Sequence, residues 1–448
     1  MKTITLFRSF LVASLILWMQ PSQAFSASFT KGNLVVSRVA NATAGWQSVY
    51  LDEYTPSGTL VQTVALPDAT ASLPNKPIGI DCQNSPDGTL NLSVDRNYLV
   101  MGGYKTGVSS VLASAGNTRI VATVDKDATV NTTTELSDIG TNNWGFRSVV
   151  STNGTDFWLS GSFGIKYTTL GGSTSTNLFS AVGPNNLGIY DSKLYLASAT
   201  GTNFFGSLNN GLPTTGASQP YTVLGSQTTP TNIGIVYPLS FVMFDMDASI
   251  AGVDVMYVAE NAKLGGGVND NTSRGLTKYC LNSSGLWVKK GAIIQAPIAA
   301  NGLKGLTGVC NATTGAITLY ATTIAYPLSD PTSIVTLTDN SGYNGALAGT
   351  FTTLATSAVG TAFRGIAFTP GTPSTAINNV FENAALSVSV YNGIIKFTAM
   401  QGENLDVYNT IGQKLLSKVT VDGVNEIALA SKGVMIVKVG NKIGKVTL

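Results

Sequence analysis

The 448-residue chain contains no histidine. Without imidazole there can be no Ser-His-Asp triad, no Cys-His dyad and no HExxH zinc site, so much of hydrolase chemistry is excluded before any motif is sought. Charge is scarce too: Asp, Glu, Lys and Arg make up 11% of the residues, against roughly 25% in an ordinary soluble domain. This is not the shortage of a disordered chain, because 44% of residues are apolar and Gly, Thr, Ser and Asn stand where Lys and Glu would be. A formal charge of +2 supplies neither a basic stripe nor an acidic tail, so nucleic acid is not an expected partner. Cysteine is limited to Cys82, Cys280 and Cys310, an odd number without CxxC spacing and no disulfide framework. A Cys280–Cys310 bridge and three small buried hydrophobes are both compatible with that count.

Long apolar runs are missing except near the start. There Lys2 and Arg8 flank the onset of the run at 10–19, followed by Pro21-Ser22-Gln23-Ala24. Charge, apolar run and small residues in that order read as a secretory signal peptide, cleaved after Ala24. The run falls short of the ~20 residues that span a bilayer, so an exported mature chain with no transmembrane segment is expected.

From Phe29 to about Pro370 no segment keeps a 3.6-residue apolar period, and strand-like runs recur instead. The strongest, aligned on a short apolar strand, a polar turn and a second strand rich in Tyr, Leu and Val, begin at 90, 145, 186, 241, 306 and 365. Their steps of 55, 41, 55, 65 and 59 residues match or exceed the ~40–50 of common propeller-blade repeats, with the surplus in loops. The last repeat supplies a single strand, and the runs at 32–38, 47–54 and 59–66 can complete its blade, closing the ring through the chain ends. The expected fold is all-β: a β-propeller of six blades, with seven as the alternative count, over 25–369. A Pro/Gly/Thr linker follows at 370–384.

Residues 385–448 differ in texture, carrying 7 Lys and 4 acids, whereas 25–384 carries 17 basic and 20 acidic residues. Short near-alternating runs are separated by Asn392-Gly393 and Asp422-Gly423, dipeptides that supply the positive φ of tight hairpins. A small antiparallel, immunoglobulin-like sandwich is expected. Its blocks run Val407-Tyr408-Asn409-Thr410-Ile411-Gly412-Gln413-Lys414-Leu415, then Gly423-Val424-Asn425, then Lys432-Gly433-Val434-Met435-Ile436-Val437-Lys438, closing on Lys445-Val446-Thr447-Leu448. In order and terminal position they resemble the type A C-terminal sorting domain of the type IX secretion system.

That resemblance implies Tyr408, Gly412, Gln413, Leu415, Gly423, Asn425, Gly433, Val437, Lys438 and Lys445 as the sorting motif. It implies as partners the outer-membrane translocon and a sortase-like peptidase, which removes the domain and releases the passenger or joins it to surface lipopolysaccharide.

Within the ring, carboxylates are the abundant candidates for acid/base work. Asp245-Met246-Asp247, read as strand, puts two carboxylates on one face, with Asp254 following. Such a pair suits calcium or glycosidic chemistry, but the further ligands and terminal Glu of a calcium loop are absent, which favours solvated turn acids at a blade edge. Gly265-Gly266-Gly267 beside Asn269-Asp270-Asn271 lacks the Lys-Ser/Thr of a phosphate loop. Trp46, Trp144, Trp158 and Trp287 with Tyr50, Tyr54 and Tyr104 are either stacking platforms for glycan or peptide, or core. The sequence therefore assigns no catalytic residue, no metal and no cofactor. It favours a secreted or surface binding protein with a glycan or protein ligand. The alternatives are a carboxylate-dependent glycan hydrolase or lyase, and a structural surface-coat subunit.

Overall fold

Runs rich in Val, Ile, Tyr, Phe and Thr form strands because branched and aromatic side chains fit a pleated, half-buried surface, and Gly, Asn and Asp end them by tolerating turn geometry. The computed structural model describes residues 26–448 apart from 40–44, 71, 83–85, 106–117, 140–144, 181, 200–203, 217, 227–233, 236, 262–274, 295–301, 326–329, 374–385, 387, 392, 400, 410–412, 431 and 441. The described residues form 32 strands and no helix.

Blade 1 uses β1 (Leu34–Val39), β2 (Trp46–Tyr54) and β3 (Leu60–Ala65); blade 2 uses β4 (Gly79–Asp81), β5 (Asn91–Leu92), β6 (Tyr98–Tyr104), β7 (Arg119–Asp125) and β8 (Val130–Leu136). Blade 3 is β9 (Phe146–Ser151), β10 (Asp156–Gly161), β11 (Gly164–Thr169) and β12 (Thr176–Phe179); blade 4 is β13 (Asn186–Tyr190), β14 (Lys193–Ser198), β15 (Phe204–Leu208) and β16 (Tyr221–Ser226). Blade 5 is β17 (Pro238–Phe244), β18 (Val255–Glu260), β19 (Leu276–Leu281) and β20 (Trp287–Ile293); blade 6 is β21 (Leu303–Cys310), β22 (Ile317–Thr323), β23 (Ser333–Asp339) and β24 (Thr352–Thr356). The last propeller strand, β25 (Ala362–Phe368), pairs antiparallel with β1, from Leu34 opposite Phe368 to Val39 opposite Ala362. The chain ends thus share blade 1, the closure expected from the sequence, and the ring has six blades. β5, β9, β13, β17, β21 and β25 are innermost and touch in succession around the axis. Each aligned repeat start lies in or beside one of them.

Alternation explains the packing between blades. Successive side chains of a strand point to opposite faces, so Leu99 and Met101 of β6 join the core shared with blade 1, while Val100 and Tyr104 join Phe146 and Phe157 of blade 3. Each of the six blade interfaces has its own apolar cluster built in this way. Blades approach closely at Gly102, where a Cβ would stand 2.6 Å from the Phe146 ring.

Beyond the ring, β26 (Ser389–Tyr391), β27 (Ile394–Ala399) and β30 (Gly423–Ala428) form one sheet, and β28 (Asn404–Asn409), β29 (Lys414–Val419), β31 (Val434–Val439) and β32 (Lys442–Thr447) form another in the order β29-β28-β31-β32. The inward residues Ile395, Phe397, Leu405, Val407, Ile427, Met435 and Val437 fill the space between them. This is the expected immunoglobulin-like sandwich. Gly423 takes φ 89°, as the turn before β30 requires. Asn392 and the linker residues from 374 onward lie outside the described residues.

The three cysteines are buried and none is in a disulfide. Cys280 instead donates to the Tyr343 carbonyl, and burial pushes its thiol up to about 11. No helix among the described residues is long and apolar enough to cross a membrane.

Candidate functional site

The six innermost strands all end at one mouth of the central channel, where a cavity of about 1230 Å³ opens. Ser93, Ser151, Tyr190, Phe244, Val309 and Phe368, one from each blade, line it. Hydrogen bonds between innermost strands hold its wall: Asn91 Nδ2 donates to Ser148 Oγ (3.1 Å), Ser148 accepts the Leu187 amide (3.3 Å), and Asn186 Nδ2 donates to Ser240 Oγ (2.9 Å). Gly188 is the close-packed point of that wall, since a Cβ there would stand 2.9 Å from the Phe241 ring.

Charged groups stand at the rim. Arg96, at φ 61°, donates from Nε to the Thr372 carbonyl at 2.5 Å, and burial lowers its pKa. Asp191 and Ser192 both adopt positive φ in the two-residue turn between β13 and β14, the geometry of a type I′ hairpin. That turn aims Asp191 Oδ2 at the Val253 amide, 2.8 Å away in the next blade.

The Asp245-Met246-Asp247 reading needs correction. β17 stops at Phe244, because Asp254 turns back and accepts the Met246 and Asp247 amides at 2.9 and 2.6 Å, tying residues 245–254 into a loop. Asp245 lines the cavity, while Asp247 faces out and accepts from Ser249. Burial pushes Asp254 up to about 6. No group of three metal-ligating side chains occurs among the described residues, so the three aspartates do not converge on a cation.

Of the two readings of the aromatics, core holds for Trp46, Trp158, Trp287, Tyr54 and Tyr104, which are all buried. Trp46 is buried and stacked on Tyr104 at 4.5 Å. Trp158 is buried with its indole N–H on the Pro213 carbonyl, and Trp287 packs near Phe205. Tyr54 meets Phe363 edge-on, and Tyr50 lies under the Arg38 guanidinium. Trp144 and the segment 265–271 fall outside the described residues. The aromatic lining of the cavity comes instead from Tyr190, Phe241, Phe244, Tyr320 and Phe368. All of these sit in the aligned repeat runs, so the repeat itself was the signal that could have found them.

At the opposite end of the innermost strands lies a buried polar assembly. Tyr104 donates to Asp87 Oδ2 (2.8 Å) and accepts the amides of Gly145 and Phe146. Burial pushes Asp87 up to about 7 despite the Tyr104 hydroxyl. Arg147, Lys304 and Arg364 stand near the beginnings of β9, β21 and β25. Arg147 donates to the Gly183 carbonyl and Arg364 to that of Cys82.

In the sandwich, Tyr408 donates to Asp406, which Lys414 and Ser417 also engage at 3.0 and 2.6 Å. Gln413 closes the turn after β28 on the Asn409 side chain, and the Asn425 side chain bonds Val421 on both its amide and carbonyl. Leu415 and Val437 face the core, Gly433 pairs with Leu448, and Lys438 and Lys445 point to solvent. Ala24 and Gly412 lie outside the described residues.

No family model and no curated protein matches this chain. Among solved structures it is similar to a hypothetical selenium-binding protein from Sulfolobus tokodaii, at 9% identity and TM-score 0.40 over 77% of this chain and 95% of the other. It is also similar to the Dos1 propeller, at 9% identity and TM-score 0.36 over 80% and 81%. A third similar structure, the extracellular domain of a one-component system from B. thetaiotaomicron, gives 10% identity and TM-score 0.36 over 94% of this chain and 59% of the other. The six-blade count rests on this chain's own strand pairings.

Proposed function

We propose that the chain is an exported binding protein: the propeller takes a glycan or protein ligand at the mouth of its channel, and the C-terminal sandwich is a removable sorting signal for type IX secretion. The binding half rests on the cavity of about 1230 Å³ where all six innermost strands end. It has the concave, aromatic-walled and partly polar character of ligand sites, and its volume exceeds that of many small-molecule pockets. The sorting half rests on the ordered blocks of 407–448. The signal peptide ending at Ala24 would deliver the chain to the periplasm, from which the translocon would take it across the outer membrane before the sortase-like peptidase removes the sandwich.

Binding is tested by titrating the purified protein against glycan and peptide panels, alongside Thr307→Trp, which fills the mouth from β21. The reading expects saturable binding without turnover, lost in the variant at unchanged melting temperature. Cleavage of a glycan, abolished by Asp245→Asn or Asp247→Asn, would instead establish the carboxylate enzyme.

A further inference from the structure

The polar side chains in the wall of the wide mouth are largely engaged within the protein. Asn91 Nδ2 is taken up by Ser148 Oγ and the Val149 carbonyl, Ser93 Oγ donates to Asp95 and accepts the Tyr98 amide, and Ser151 Oγ accepts the Asn153 and Gly154 amides. Phe241, Phe244, Tyr320 and Phe368 reach the cavity, but each is buried in a core between blades and offers no open ring face for stacking. The side chains that stay partly or fully exposed in the lining include the aliphatic Leu92, Val94, Ile189, Val242, Ile250 and Val309. A glycan laid on that surface would leave hydroxyls without partners, whereas apolar side chains would gain by burial against it.

Charge divides the rim. The charged residues that line it are Lys31, Arg96, Asp191 and Asp245. Arg96 follows β5 and bonds the Thr372 carbonyl just past β25, and a Cβ on Gly371 would stand 3.5 Å from Lys31 Cε. Both cations therefore belong to the sector of blades 1 and 2. Asp191 follows β13 and Asp245 follows β17, in blades 4 and 5. The innermost strands run β25, β5, β9, β13, β17 and β21 around the axis, so blades 4 and 5 stand opposite blades 1 and 2. Lys31 and Asp191 are both exposed. Asp191 bonds the Val253 amide through Oδ2, and a carboxylate has acceptor capacity beyond one such bond.

We propose that the mouth takes a short apolar peptide with free ends. Its carboxylate lies on the side of Lys31 and Arg96, its amine on the side of Asp191 and Asp245, and its side chains on the aliphatic wall between them. This assignment rests on the mouth being the ligand site and narrows glycan or protein to peptide. A neutral sugar chain carries no such pair of opposite charges, and a fatty acid answers the basic side alone.

The test titrates the full chain with a length series of Leu, Val and Ala peptides bearing free termini, with the same peptides capped at one end or the other, with oligosaccharides and with a fatty acid. Free-ended apolar peptides should bind saturably, Thr307→Trp should abolish that binding, and capping either end should weaken it about threefold. Lys31→Met should shrink the effect of amidating the carboxyl end, and Asp191→Asn that of acetylating the amine. Asn keeps an oxygen for the Val253 amide and tolerates the φ of 48° at this position. The capping comparison on the wild type stands alone: peptides that bind equally with free and capped ends overturn the proposal. Oligosaccharide or fatty acid bound at the mouth, blocked by Thr307→Trp, with no peptide bound, also overturns it but leaves the mouth as the ligand site. If no probe binds, the proposal and the ligand site fall together.

Discussion

Lys278 Nζ stands 3.1 Å from Asp339 Oδ2, and both side chains are wholly removed from solvent, so blades 5 and 6 are joined by a buried ion pair. Ser341 Oγ and the Gly342 carbonyl accept further hydrogen bonds from the ammonium, and Tyr257 donates to the carboxylate at 2.7 Å. Such a pair contributes little over an apolar isostere but is costly to break singly. Asp339→Ala should therefore destabilise by about 3–5 kcal/mol in denaturant unfolding, and Lys278→Met with Asp339→Leu by distinctly less. Burial raises the Asp339 pKa, but the Ser341 and Tyr257 hydroxyls and Lys278 more than offset it and leave it below the usual value. Its contribution is thus full above the ordinary carboxyl pKa of 3.8 and fades as pH falls through the depressed folded-state value.

Asp87 has the opposite sign. Its folded-state pKa is raised to about 7 from 3.8, so between those values the folded protein holds a proton that the unfolded chain releases, and stability falls as pH rises. Asp87→Asn keeps an acceptor for Tyr104 and removes the titration. Relative to wild type, the variant should gain stability from pH 4 to 7 and hold a constant difference above about 7, as read from urea midpoints across that range.

Much of the ring was legible because the repeat is a register of innermost strands: runs beginning at 186 and 306 coincide with β13 and lie within β21. Blade closure was legible from the single last strand and the spare strands at the start. The Asp245-Met246-Asp247 segment misled because period 2 says nothing about where a ladder stops, and the stop is set by Asp254, eight residues from the Met246 amide it accepts. Trp46 and Trp158 read as core before platform, because strands favour aromatics, and blade packing buries them. Arg147 and Lys304, far apart in sequence, both come within electrostatic reach of Asp87, and Arg364 within reach of Lys304, only through ring closure. Each nevertheless sits just inside an innermost strand, and that shared position is the trace the alignment could have offered.

The contact of Gly102 with Phe146 sets a steric prediction. Gly102→Val puts atoms where the ring stands, at a cost of about 1–3 kcal/mol. Phe146→Leu in the same chain should return part of that loss, which a double-mutant cycle of unfolding free energies measures.

Ring closure predicts cooperative unfolding of the propeller. Val36 pairs with both Asp52 and Ile366 in the closed sheet, and Val36→Pro removes a ladder donor from the middle of blade 1. The propeller should lose stability as a whole, with one lowered calorimetric transition for all six blades. A change confined to blade 1 in hydrogen exchange would mean that closure does not couple the ring.

The proposed export route is tested most directly by fractionating native-host cells that make the chain with and without residues 385–448. The account predicts that the full chain reaches the surface or medium with the sandwich removed, while the truncated chain stays in the periplasm. Normal surface display of the truncated chain would contradict it.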